Sequence, residues 1–184
     1  MELLKSNRTL KHKTLLALAL GCLFVAFPLR AQTPKWADKA RKSVVKITTY
    51  GTDKQQVGEG TAFFVDETGV ALSSYSLFKS ADSATATDFE GKVMPVELIM
   101  GVNDLYDVVK IRIAPAKKKV PALRLAETKP VVGESVVMIP YSSRKKAESV
   151  TGAVESTSPM EGDTYYTLSL IAAPEQYGSP VFNE

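Results

Sequence analysis

Apolar residues along this chain come in short alternating bursts separated by turn-forming residues, not in long helical periods. Residues 43–49, Ser-Val-Val-Lys-Ile-Thr-Thr, are β-branched enough to predict a strand, and 50–57 predict a polar loop. Residues 61–65, which include Phe63, Phe64 and Val65, and residues 70–72 predict a hairpin. Asp66-Glu67-Thr68-Gly69 supplies its turn, with Gly69 where the backbone needs positive φ. The stretch 73–78 is hydroxyl-rich before Leu77 and Phe78, as at a strand end passing into a short helix. Residues 84–88 and 93–100 bracket Phe89-Glu90-Gly91-Lys92 as a second hairpin, and 107–113 alternate as a half-buried strand. About six strands therefore precede residue 114, spaced as in a small antiparallel barrel.

Two prolines and three lysines between residues 114 and 121 mark an exposed seam. The lysine triplet is read as a solvated connection, not as a partner site. Beyond it, 135–140, 150–156 and 165–171 predict further strands separated by Pro, Gly and charged turns. The one helix expected is short, over 33–42: Thr33 caps it, Pro34 suits its first position, and Trp36, Ala37 and Ala40 share a face. Trp36 reads as a packing anchor. No repeat at a fixed period is present.

The first 31 residues change the reading of composition. Lys5, Arg8, Lys11 and Lys13 precede an apolar run over 14–27, and Ala31 offers a small residue for cleavage, which predicts a secretory signal peptide. Cys22 is not read as a lipidation site, because apolar residues 23–27 would make an odd mature N-terminus. The chain's one histidine and one cysteine are His12 and Cys22, so both lie in this leader. Cleavage would leave 153 residues without either, and hence without a disulfide framework or a Cys/His metal site. It would also remove five basic residues and one acid, leaving 18 basic and 19 acidic residues. The alkaline isoelectric point thus belongs to the leader and implies no nucleic-acid binding. No cofactor is implied, no stable membrane anchor is expected after cleavage, and the expected location is exported, periplasmic or secreted.

The order Gly58-x-Gly60-Thr61-x-Phe63-Phe64-Val65-Asp66-x-x-Gly69-x-x-Leu72 resembles the first-barrel signature of trypsin-like serine peptidases of the HtrA type. Asp107, opening Asp-Val-Val-Lys-Ile, resembles the family's Asp-led strand. Val131-Val132-Gly133-Glu134-Ser135-Val136 resembles its entry into a second barrel, and Pro174-Glu-Gln-Tyr-Gly-Ser-Pro-Val-Phe-Asn183 resembles its nucleophile segment. The resemblance implies an all-β fold of two antiparallel barrels. With the leader, helix and seam read above, the chain divides into the leader (1–31), the short helix (32–42), a first barrel (43–113), a linker (114–121) and a second barrel (122–184). In the family two further strands follow the nucleophile segment, so an incomplete second barrel, or a chain that is part of a longer protein with further domains, is expected.

By the same resemblance Ser76 stands at the position of the catalytic histidine, Asp107 at the orienting acid and Tyr177 at the nucleophilic serine. Glu175 stands at a glycine that shapes the oxyanion loop, with Gln176 beside it. Catalysis of this class needs a nucleophile, a base within hydrogen-bond reach, an orienting carboxylate and an oxyanion hole. An aliphatic hydroxyl at Ser76 cannot accept and return a proton near neutral pH. The longer Tyr177 phenol occupies the space of a scissile carbonyl, and Glu175 puts negative charge where negative charge would develop. Ser179 is conceivable as a shifted nucleophile, but it lacks a base, and no lysine stands at a matching position.

The expectation is therefore a catalytically inactive pseudoprotease that binds extended peptide or protein segments in a groove lined by Gln176, Tyr177, Gly178 and Ser179 and by the turn over Ser74–Phe78, or that serves as a scaffold. The alternatives are an active serine-type endopeptidase with a non-standard arrangement, and a structural module or fragment.

Overall fold

A computed structural model describes residues 35–114, 119–143, 148–160 and 163–183, all within one compact unit, Thr33–Glu184. The leader with His12 and Cys22, the first residues of the short helix and seam residues 115–118 lie outside the described residues.

The first half is a closed antiparallel barrel in the order β1-β2-β3-β6-β5-β4. Its strands are β1 (Val44–Tyr50), β2 (Gln56–Phe64), β3 (Val70–Ser74), β4 (Ser83–Thr87), β5 (Val93–Asn103) and β6 (Val108–Ile113). The expected hairpins are the β2–β3 and β4–β5 pairs, and Gly69 turns the first of them at φ 100°. Alternation fills the interior as strand geometry requires: Val45 and Ile47 of β1, Ala62 and Phe64 of β2, and Val109, Ile111 and Ile113 of β6 are all buried there. β5 departs from alternation. Its register against β6 shifts between Val96 and Leu98 and again between Ile99 and Gly101, which leaves Leu98, Ile99, Met100 and Val102 facing solvent.

The second half is a four-stranded antiparallel sheet in the order β10-β7-β8-β9: β7 (Ser135–Met138), β8 (Val150–Met160), β9 (Asp163–Leu168) and β10 (Val181–Asn183). β8 runs four residues further than the sequence suggested, because it stays paired with β9 as far as Met160. β10 is only three residues long and follows a loop, so it has no periodicity by which to be read. The expected helix is reduced to α1 (Ala37–Ala40), which passes directly into a 3-10 turn over Arg41–Ser43. Such a short helix holds only through its packing. Ala37 and Ala40 are buried, and the Trp36 ring lies against Phe182 with centroids 4.8 Å apart.

A second buried cluster joins the halves. Ala37 and Val44 meet Val137 and Ile139, flanked by Phe63, Tyr141 and Phe182. β1 therefore serves two cores: Val45 and Ile47 point into the barrel while Val44 points at the junction. Past the seam, Lys119 pairs with Glu67 at 2.6 Å, and the Leu123 amide donates to the Phe64 carbonyl at 2.8 Å. Residues 119–123 thus run against the β2–β3 hairpin before the chain enters the second sheet.

Candidate functional site

An open cleft of about 500 Å³ lies where the end of β3, the start of β6 and the loop before β10 meet. Strand pairing builds its first wall. β3 and β6 are antiparallel with Ser74 opposite Val108, so Asp107, one residue before β6, arrives beside the turn that follows β3. That turn is a 3-10 segment over Tyr75–Leu77, and the Tyr75 amide donates to the Asp107 carbonyl at 3.0 Å. Asp107 takes φ 50°, a left-handed conformation that a short polar residue tolerates.

The Asp107 carboxylate gathers donors from this turn. The Ser76 amide reaches Oδ1 at 2.6 Å, and the Ser76 hydroxyl reaches Oδ2 at 3.1 Å. The Ser74 hydroxyl also donates to Oδ2, and the two serine oxygens lie 2.8 Å apart. Partial burial pushes the Asp107 pKa up. The hydrogen bonds from Ser74 and Ser76, with the charge of Lys79, outweigh it and hold the carboxyl below its ordinary range. Lys79 places its own ion pair elsewhere, on Asp104 at 2.6 Å, with its ammonium 5.3 Å from the Tyr75 ring centre.

The second wall is the loop before β10. A 3-10 turn over Pro174–Gln176 is closed by the Gln176 amide on the Ala173 carbonyl at 2.8 Å and the Tyr177 amide on the Pro174 carbonyl at 3.2 Å. Gln176 staples the turn: its Oε1 accepts the Ala173 amide at 3.0 Å, and its carbonyl accepts the Ser179 hydroxyl at 2.5 Å. Thr61 of β2 clamps the loop to the barrel. Its amide donates to the Tyr177 carbonyl at 2.8 Å and its hydroxyl to the Glu175 carbonyl at 3.1 Å, while its own carbonyl accepts the Ser73 hydroxyl at 2.8 Å. Gly178 is required at this contact. It sits at φ +85°, and a Cβ there would lie 2.2 Å from the Thr61 carbonyl oxygen.

A closed barrel and a second sheet that meet at a cleft between an Asp-led strand and a Gly-Ser-Pro loop are the frame of one fold. A family profile described as trypsin-like peptidase domain matches residues 60–184. The chain belongs to the trypsin-like peptidase domain family. No match was found among the curated proteins.

The match to the trypsin-like domain runs from within β2 through β10 and so includes both cleft walls. Of the residues singled out in the sequence, Asp107, Tyr177, Gly178 and Ser179 line the cleft. Ser76 reaches it through Asp107, and Gln176 holds the loop behind it. Glu175 contributes its carbonyl to the Thr61 clamp. Sequence reasoning missed Phe63 and Tyr106, which supply aromatic walls of this trypsin-like cleft; Ser74, expected at the groove, does line it, but its hydrogen bond to Asp107 depends on the β3–β6 register and was not foreseen. The position of Tyr106 directly before Asp107 was the one signal available for it. Among the described residues no cluster of three or more His, Cys, Asp or Glu side chains is placed to hold a metal ion, and no helix is long and apolar enough to cross a membrane.

Proposed function

We propose that this trypsin-like domain is an exported, catalytically inactive member of its family, of the HtrA type, and that it works by holding extended peptide or protein segments in the cleft. The observation that carries the reading is the company Asp107 keeps. Its carboxylate faces the amide and hydroxyl of Ser76 and the hydroxyl of Ser74, where triad chemistry needs a base that titrates near neutrality. The only histidine in the chain is His12, in the predicted leader.

The loop supports the same reading. An oxyanion hole needs amide hydrogens directed at the developing charge, and the Tyr177 amide instead donates to Pro174 within its own turn. The Ser179 hydroxyl donates to the Gln176 carbonyl, which is not a base, so a shifted serine nucleophile finds no activation there. What remains usable is the cleft itself, since main-chain pairing with an extended segment needs no triad.

The test compares the purified protein with a Ser76→His, Glu175→Gly, Tyr177→Ser triple variant, by fluorophosphonate labelling and by casein cleavage. The wild type is expected to be silent in both assays. Cleavage by the wild type that disappears in Ser179→Ala or Asp107→Ala would overturn the proposal in favour of a non-standard peptidase.

A further inference from the structure

The acceptor balance at Asp107 says what kind of group the cleft receives. Three donor hydrogens converge on the Asp107–Ser74–Ser76 cluster: the Ser76 amide, the Ser76 hydroxyl and the Ser74 hydroxyl. All three point inward, at the carboxylate or at one another. What the cluster can offer an incoming group is therefore lone pairs and a negative charge, and no hydrogens. Asp107 is exposed at the rim, so that charge is open to a ligand. Lys79 is engaged with Asp104 and does not close an ion pair on Asp107. Glu175, two residues before Tyr177, adds another acidic group to the opposite loop.

The rest of the lining is aromatic and aliphatic. Phe63, Tyr106, Val108 and Tyr177 share the cleft with Asp107, and the Tyr177 side chain is half exposed. Tyr106 is held in place by stacking on Tyr165, with ring centroids 5.2 Å apart, and the Tyr165 hydroxyl is anchored on the Leu105 carbonyl at 2.7 Å. A volume of about 500 Å³ falls in the ordinary range for a ligand site. A donor-rich cation that also stacks on aromatic rings meets all these features at once, and among side chains that is arginine: its fork suits a carboxylate and its plane suits an aromatic face.

We propose that the cleft accepts an arginine side chain of an extended peptide, with its guanidinium on the Asp107 carboxylate and its plane against the Tyr106 and Tyr177 rings. The inference rests on the peptide-holding reading above and names the residue that such a peptide presents. The site lies at the rim and not in a sealed core, so each contribution is modest: an exposed ion pair plus one cation–aromatic contact.

The experiment measures fluorescence polarisation of labelled short peptides of alternating Thr and Val, each with one central Arg, Lys, citrulline or Glu, against the full purified protein. The arginine peptide is expected to bind roughly five- to tenfold tighter than its neutral isostere, the citrulline peptide, with lysine between them and glutamate weakest. The preference should shrink with added salt and vanish in Asp107→Asn, whose fold is checked by circular dichroism. If that variant does not fold, Tyr177→Ala serves, and it should narrow the preference for arginine over citrulline. Equal binding of the arginine and citrulline peptides, or a preference untouched by these variants, overturns the arginine assignment and leaves the peptide-holding reading standing. Failure of every peptide to bind overturns both.

Discussion

Asp107 concentrates most of what is unusual about the site: a left-handed backbone, two serine hydroxyls on one carboxylate oxygen, and a pKa held below the ordinary range. A depressed folded pKa means that the unfolded chain binds the proton more readily. The stability from these hydrogen bonds is therefore complete above about pH 4 and is lost as pH falls through the folded value. Asp107→Asn should lower the urea midpoint across the neutral-to-alkaline range and approach the wild type as pH falls, so that the acid limb of the stability curve is flattened. Asp66, also held low, contributes in the same window and will leave part of that limb in place. At this scale the sequence pointed to Asp107 and Tyr177 from their motifs, and the cleft has both on its walls. Ser74 was not readable as a partner, because nothing in residues 70–74 reveals which residue of β6 will lie opposite.

Among the elements, the β2–β3 hairpin best repays reading by local rules. Asp66 Oδ1 accepts the Thr68 amide at 2.7 Å, the Thr68 hydroxyl at 2.8 Å and the Val70 amide at 3.1 Å, a turn held by one carboxylate. Asp66→Ala should lower stability by about 1–2 kcal/mol, seen as a fall in the urea midpoint at constant slope, and Asp66→Asn should recover much of it. Hairpin and turn were legible because Asp, Thr and Gly each carry their own geometric preference. β5 was less so. Two register shifts against β6 undo its alternation, and a shift is a property of the pair, not of either strand's sequence. β10 is fixed by its neighbour as well: Val181 pairs with Met138, and the Ile139 amide donates to the Pro180 carbonyl at 3.1 Å.

In the molecule as a whole, a small buried cluster sits where the halves join. Ile139 is completely buried against Ala37, Val44 and Val137. Truncating it to alanine removes a branched side chain and leaves a void, which should cost about 2–5 kcal/mol. For a domain of this size that lowers Tm by several degrees or more, measurable by calorimetry. Tyr141 also ties the halves, its hydroxyl donating to the Asp88 carbonyl at 3.1 Å in the β4–β5 turn. The two-part architecture was visible in the spacing of strands and the proline- and lysine-rich seam. The junction was not: the helix face with Ala37 was readable as a packing face, but nothing local shows that it meets Val44 of β1 together with Val137 and Ile139 in and just after β7.

Thr61 carries a consequence of its own. It is fully buried, and its amide leaves the strand ladder to end on the Tyr177 carbonyl, across the chain in the loop before β10. Such a proton is released to solvent when that loop lifts, even while the strand around it stays intact. Thr61 is thus a built-in reporter: its deuterium uptake follows the breathing of the 173–179 loop, whereas amides deeper in the barrel wait for the whole domain to open. Anything that settles on the loop and stills it will slow that single exchange rate first.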